Sequence, residues 1–418
     1  MTTVGVLRET ASRERRVALT PDGVARLRRG GEFRVLVEAG AGRPAWFDDR
    51  AYAEAGAEIG SRQQVYDESE VLLVVRPPDD VAGVPPGRIL IGLLDPLGDP
   101  ALAGTLAGQG ITAISLDLLP RTLSRAQPMD ALTSQANVAG YKAALLAAEA
   151  YGGFFPMLVT AAGTTRPAQV LVLGAGVAGL QALATARRLG AQVTGYDVRE
   201  AARADIASTG AAVLELGSGQ NTDDGYARQL GDDEAARQLS ALTAAVPRFD
   251  VVITTAKVPG GRSPLLVSDE ALAAMKPGSV VIDLGGNVAG AAADTRAVTD
   301  HGVTVIGAPN LASTVPVAAS TAYARNVVAL LGGLLPDGRL PSDSTDEVLA
   351  AVLVTHDGEV VHPRLRDVQV GGVGERDVQV GGVGERDVQV GGVDERDVQM
   401  RGVHERDVQE SDVQEETR

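Results

Sequence analysis

The sequence predicts an α/β protein with two parallel-sheet domains, followed by a low-complexity C-terminal tail. Three observations carry this reading. Apolar segments of strand length alternate with helical patterns from the N-terminus to about residue 360. Those strand segments are apolar almost throughout, as strands covered on both faces must be. From Arg366 onward the chain becomes a decapeptide repeat. With 418 residues, 44% of them hydrophobic, there is material for two cores.

The elements follow in order. VGVLRE opens the first unit as a strand. TPDGVARLRRGG follows as a helix, with Thr20 placed to cap it and Pro21 at its first position. FRVLVEAGAG, VLLVVRPP, RILIGLL and GITAISLDLLP continue the strand series, and Trp46 and Phe47 in RPAWFDDRAYAEAGA read as core residues. A long helical stretch, MDALTSQANVAGYKAALLAAEAYG, leads to a second unit with strands QVLVLG, QVTGYD, FDVVITTA, SVVIDLGG and VTVIGAPN. STAYARNVVALLGGLL is an apolar helix, and DEVLAAVLVTHDGEVV reads as a short helix with a hairpin-like end. Because this last material follows a complete unit, it is expected to return to the first one. The expected division is a discontinuous N-terminal α/β domain of residues 1–135 and 318–360, a second domain of residues 136–317, and the tail, 366–418.

The tail repeats RDVQVGGVGE with small changes, has no aromatic residue, Leu, Ile or Lys, and carries -7 of the net charge of -16. Its scattered valines bury too little surface to offset backbone ordering, so disorder is expected. Composition also excludes several functions. There is no Cys, so thiolate chemistry and disulfides are absent, and the four His (301, 356, 362 and 404) are too few for a His-rich metal site. A pI near 4.8 argues against nucleic acid as a partner. No run of about 18 apolar residues occurs, which points away from membrane insertion.

The chemistry concentrates in PAQVLVLGAGVAGLQALATARRLGAQVTGYDVRE. A strand runs into Gly174, Gly176 and Gly179, a helix follows, and the next strand ends in Asp197. In that setting GxGxxG is a dinucleotide-binding fingerprint, and the second domain is expected to be a Rossmann fold. Gly174 permits the tight turn, Gly176 lets a pyrophosphate approach the backbone, and Gly179 lets helix and strand pack closely. Asp197 should accept hydrogen bonds from the adenosine ribose and repel a 2′-phosphate, which selects NAD(H), with nearby Arg199 opposing that preference. Cofactor contacts are therefore expected at Gly174, Ala175, Gly176, Val177, Ala178 and Gly179, at Asp197, Val198 and Arg199, and at Thr255 and Ala256. Lys257, just beyond, lies at the carboxyl edge where ligands bind, though a plain surface lysine would look the same.

RVALTP, SRAQPMDALTSQANVAGYKA, the fingerprint segment, GYARQL and TTAKVPGGRSPLLVSDEALAAMKPGSVVIDL together resemble the NAD(H)-binding alpha subunit of proton-translocating NAD(P) transhydrogenases. The resemblance covers residues 1 to about 335. It implies direct hydride transfer between NADH on this chain and NADP on a partner, with a membrane-embedded proton-channel subunit, an NADP(H)-binding subunit and a homodimeric, cytoplasmic component at the inner face of the cell membrane. It also implies that Arg121, Gln127 and Asp130, with Thr133 beside them, orient the nicotinamide and its ribose. The loop is one residue longer than the family pattern, so Arg125 is the alternative to Arg121. Tyr226 matches the tyrosine of a loop that closes over nucleotide.

Alanine dehydrogenases share the fold and fingerprint. Such an enzyme must bind a carboxylate and move a proton. Val74 stands near the family's Lys, with Arg76 close by, no His precedes His301, and VVIDLGGN lacks the expected acid after Asp283. Arg16 could hold a carboxylate in that reading and is structural in the other. A catalytically silent NAD-binding scaffold is the third possibility.

Overall fold

A computed structural model describes residues 1–30, 33–216, 231–258, 260–335, 339–340 and 346–366. Six strands, β1 (Thr2–Val6), β2 (Phe33–Glu38), β3 (Glu58–Gly60), β4 (Val71–Leu73), β5 (Ile89–Gly92) and β6 (Thr112–Ser115), form a parallel sheet in the order β3-β2-β1-β4-β5-β6. Both faces are covered, which is why the strands read as apolar throughout: Val4, Val6, Val35, Val37, Leu72, Leu73, Leu90 and Ile91 are all buried. Helices α1 (Pro21–Arg29), α2 (Asp49–Glu54), α3 (Arg62–Glu68) and α4 (Pro100–Gly108) connect them. The start of α1 follows the sequence signals, with Thr20 Oγ1 accepting from Gly23 N at 3.4 Å and Pro21 leading the helix.

Helix α5 (Ala131–Ala150) and a small hairpin, β7 (Leu158–Thr160) with β8 (Gly163–Thr165), lead to the second sheet. Its strands are β9 (Gln169–Leu173), β10 (Gln192–Tyr196), β11 (Ala212–Val213), β12 (Val251–Thr254), β13 (Val280–Asp283), β14 (Arg296–Val298) and β15 (Thr304–Gly307). They run in the order β11-β10-β9-β12-β13-β15-β14, parallel except for β14. The order reverses between β9 and β12, which creates the crevice where doubly wound folds bind ligands. Helices α6 (Val177–Arg188), α7 (Ala202–Ser208), α8 (Asp232–Ala245) and α9 (Asp269–Ala274) complete this layer structure. The chain then forms α10 (Pro316–Leu334) and α11 (Glu347–Val352), and β16 (Leu353–His356) pairs antiparallel with β6 and with β17 (Glu359–Val360) in the first sheet. The fold class is thus the α/β architecture of two mainly parallel sheets.

Trp46 departs from the sequence expectation. It is 77% exposed, while Phe47 packs against the first core. The interior place is taken by Tyr52, fully buried with its hydroxyl donating to Leu19 O at 2.7 Å. Trp46 instead closes the turn Arg43–Ala45 in a left-handed conformation, φ 65°, its N–H donating to Arg43 O. The repeat tail beyond Arg366 lies outside the described residues.

Candidate dinucleotide site

The turn after β9 is dictated by its glycines. Gly174 has φ +100°, a region that side chains rarely adopt, and a Cβ there would meet Thr255 Oγ1 at 2.8 Å. At Gly179 a Cβ would fall 1.8 Å from Gly174 O, so helix and turn meet only because no side chain intervenes. A Cβ at Gly176 would meet nothing within 4 Å. The middle glycine therefore leaves open space in front of the backbone, and packing does not require it. Gly176 caps α6, whose first helical bond runs from Leu180 N to Gly176 O at 2.9 Å. The N–H groups of Val177, Ala178 and Gly179 thus lack intrahelical acceptors and, with the helix dipole, make a seat for an anion. These features fit the pyrophosphate of a dinucleotide.

Asp197, one residue past β10, closes the neighbouring side. Its Oδ2 accepts from Ala175 N at 2.8 Å, tying acid and turn together. Its Oδ1 accepts from Arg199 N and Arg199 Nε, both at 2.9 Å, and Arg199 Nη2 reaches Oδ2 at 3.1 Å. Arg199 is therefore folded back on Asp197, which raises the arginine's pKa through that hydrogen bond. Val198 packs against the core beside β10, and Thr255 Oγ1 donates to Gly174 O at 3.0 Å.

The loop before α5 brings three of the predicted residues together. Asp130 caps α5, accepting from Thr133 N at 2.8 Å and Thr133 Oγ1 at 2.6 Å. Arg121 Nη2 donates to Thr133 Oγ1 at 3.1 Å and its Nε lies 3.6 Å from Asp130 Oδ2. Arg125 points elsewhere and pairs with Asp346, the cap of α11. Gln127 is exposed on the same loop, and among the described residues its side chain makes no hydrogen bond. Ala126 and Met129 are buried in the first core, and Asn326 Nδ2 on α10 donates to Pro128 O at 2.8 Å, so the polar residues project from a fastened loop.

Helix α5 links loop and turn. A Cβ at Gly140 would fall 2.0 Å from Ala178 O, and Asn137 Nδ2 donates to Gln181 Oε1 at 3.2 Å, which lays α5 directly on the first turns of α6. Asp130 is seven residues before Asn137, or about 10 Å along the axis at 1.5 Å per residue.

Sequence reasoning singled out Arg16 without its partners and missed the site-shaping roles of Asn287 and Asp283. Arg16 is buried and makes four side-chain hydrogen bonds: it forks onto Glu14 (2.8 and 2.7 Å), donates to Gln135 Oε1 at 2.9 Å on α5, and reaches Asn310 Oδ1 at 3.3 Å. Asn287 Nδ2 donates to Ala256 O and Pro264 O, both at 2.9 Å, clamping the loop after β12. Asp283 Oδ1 accepts from Thr254 Oγ1 and from the backbone of Gly285 and Gly286, so it is a turn anchor. RVALTP and DLGGN were the only signals of these roles. Tyr226 lies outside the described residues. Among the described residues no helix is long and apolar enough to cross a membrane, and no group of three acidic or His residues could hold a metal.

Comparison with known proteins agrees with this geometry. Residues 5–139 match the model for the alanine dehydrogenase/PNT N-terminal domain and residues 143–363 that for the C-terminal domain. The chain is 39% identical to the NAD(P) transhydrogenase subunit alpha of Haemophilus influenzae, covering 86% of this chain and 72% of that one. A transhydrogenase structure from Sinorhizobium meliloti superposes with TM-score 0.76 at 40% identity, covering 86% of this chain and 100% of that one. Identity to the alanine dehydrogenase of Bacillus subtilis is 31%, over 86% of this chain and 92% of that enzyme. The chain belongs to the alanine dehydrogenase/PNT family.

Proposed function

We propose that this chain is the NAD(H)-binding component of a proton-translocating NAD(P) transhydrogenase, which passes hydride directly between NADH held here and NADP held by a partner subunit. The observation that carries the reading is the Arg121, Asp130 and Thr133 set, fixed by α5 about two helical turns from the point where that helix touches the glycine-turn helix. When bound, NADH would supply the hydride, and the acceptor carbon would belong to the NADP held by the partner subunit. The chain's own groups do the rest: the free N–H groups of α6 hold the pyrophosphate, Asp197 the adenosine ribose, and Arg121, Gln127 and Asp130 the nicotinamide end. Such a transfer needs no general acid, only alignment and exclusion of water. Among the described residues His301 precedes β15, at the sheet edge opposite the crevice, and His356 and His362 belong to the C-terminal hairpin region.

In this reading residues 136–317 are the NAD(H)-binding domain and residues 1–135 with 318–360 the second domain. The remaining partners are a membrane-embedded proton-channel subunit, which would hold the chain at the inner face of the cell membrane, and a second copy of the chain. Support for the second copy comes from the β7–β8 hairpin. An isolated two-stranded sheet is marginal in water, and Phe154, Met157 and Val159 around it are 56, 60 and 72% exposed.

The test is reconstitution. Mixed with an NADP(H)-binding transhydrogenase subunit, the purified chain should transfer hydride from NADPH to a spectroscopically distinct NAD analogue, and alone with NAD and L-alanine it should form no NADH. Steady alanine oxidation by the chain alone would establish the alanine-dehydrogenase-like reading instead. Binding of NADH with neither activity would leave a catalytically silent scaffold.

A further inference from the structure

Lys257 sits two residues beyond Thr255 on the loop that follows β12, and this loop is held in place. Asn287 clamps its start and end through Ala256 O and Pro264 O, and Gly260 lies against Leu97 of the first sheet's β5–α4 connection, where a Cβ would be 3.0 Å from Leu97 Cβ. Lys257 is exposed, and among the described residues it makes no hydrogen bond or ion pair. Its ammonium stands on a clamped loop at the carboxyl end of β12, near enough to Asp95 and Arg76, on the loops after β5 and β4, and to Asp283 at the end of β13 to feel their charges.

Its place relative to a dinucleotide follows from strand order. The pyrophosphate seat is the turn after β9, and Asp197 at the end of β10 takes the adenosine half to one side. The other half must then cross the opposite neighbour, β12, whose carboxyl end carries Thr255, Ala256 and Lys257. The nicotinamide ring carries a positive charge when oxidised and none when reduced. A fixed cation beside it repels the oxidised ring and leaves the reduced ring untouched.

We propose that Lys257 is a specificity-determining residue that makes this site favour reduced over oxidised dinucleotide, by placing its ammonium beside the nicotinamide half. The inference rests on the NAD(H)-binding reading above. Partial desolvation draws the ammonium below the usual lysine range, Asp95 and Asp283 pull it back up, and Arg76 pushes it further down. The group is charged below that lowered value and neutral above it, so the preference for NADH should fade as pH rises through it.

The experiment is calorimetric and fluorescence titration of the full chain with NADH and with NAD+, at pH 7 and at stepped alkaline pH. A unit charge within about 6 Å of the ring in a partly solvated crevice changes the ratio of the two dissociation constants about tenfold. Lys257→Met should reduce the ratio by about that factor and flatten its pH dependence, whereas Lys257→Arg should retain the ratio and move its loss to higher pH. Equal weakening of both ligands by Lys257→Met would mean that the lysine serves the pyrophosphate, and would overturn the inference, as would an unchanged ratio. Failure of the parent chain to bind either form would overturn the NAD(H) reading along with it.

Discussion

The three glycines around α6 do different work, and single alanines separate it. Gly176→Ala adds a methyl that meets no atom within 4 Å, at φ -77°, where alanine is unstrained. The fold should notice only the poorer cap, a cost of at most about 1 kcal/mol, or roughly 2–4 °C in melting temperature. The ligand should notice much more, because the methyl occupies the space through which a pyrophosphate reaches the free N–H groups. Gly179→Ala puts a methyl 1.8 Å from Gly174 O, and Gly140→Ala puts one 2.0 Å from Ala178 O. Both neighbours are backbone, so relief requires moving the turn or sliding α5 off α6. Overpacking of this kind costs about 1–3 kcal/mol, a fall of roughly 5–10 °C at the upper end. The assays are thermal unfolding by circular dichroism and NADH binding by fluorescence. Gly176→Ala should weaken NADH at least tenfold with little change in melting, and the other two should lower melting first. If Gly176→Ala bound NADH as the parent chain does, the pyrophosphate would not lie on this turn.

Other substitutions test the remaining assignments. The parent chain should bind NADH well and NADPH poorly, and Asp197→Ala should narrow that gap by removing the carboxylate and releasing Arg199 toward a 2′-phosphate; nucleotide fluorescence reads both. In a reconstituted complex Arg121→Ala, Asp130→Asn and Gln127→Asn should slow hydride transfer by an order of magnitude or more while NADH affinity moves only a few fold, since small misplacement of reacting atoms is costly. Arg125→Ala loses a largely exposed ion pair with Asp346 and should change stability by less than about 1 kcal/mol with transfer intact; the opposite pattern in the two arginines would exchange their roles. Burial pushes the Glu14 carboxyl up, but hydrogen bonds and charge from Arg16 hold it at about 2, below its ordinary 4.5. The folded value lies below the unfolded one, so this stabilisation is in force above about pH 4.5 and drains away as pH falls toward 2. It amounts to something on the order of 3 kcal/mol, and urea titrations at pH 7 and pH 3 should show Glu14→Gln losing much less stability on acidification than the parent chain.

The fold class was legible because both of its signals are periodic and local. Strands such as Val251–Thr254 and Val280–Asp283 are apolar at every position but the last, and Thr20 with Pro21 announces a helix start. The glycine turn was legible because the positive φ at Gly174 and the close helix approach at Gly179 are met by one residue type. What sequence could not supply was direction. Nothing in RTLSRAQ says that Arg125 turns toward Asp346, 221 positions away, while Arg121 stays with Thr133. Trp46 was misjudged because apolar size was read without the left-handed turn that aims it outward. Arg16 forks onto Glu14 two positions away, but its links to Gln135 and Asn310, like those of Asn287 to Ala256 and Pro264, join distant stretches of chain that no local pattern could connect.

Helix α5 explains why loop and turn can serve one ligand. Its first turn is fastened to the first core through Ala131, beneath Ala126 and Met129 of the loop, and its last turns enter the second core through Ala143, Ala144 and Ala147. Between them Gln135 is fixed on both sides, accepting from Arg16 and donating to Ala319 O at 3.1 Å, and Gly140 gives the helix backbone direct contact with α6. A larger residue at Gly140, or at the buried alanines, would hold the helices apart. The small residues of QANVAGYKAALLAAEA therefore set the distance between the Arg121, Asp130 and Thr133 set and the anion seat. The spacing of the two ends of the proposed site is carried by a single rigid element, so any change that tilts α5 should alter hydride transfer even where no nucleotide contact is touched.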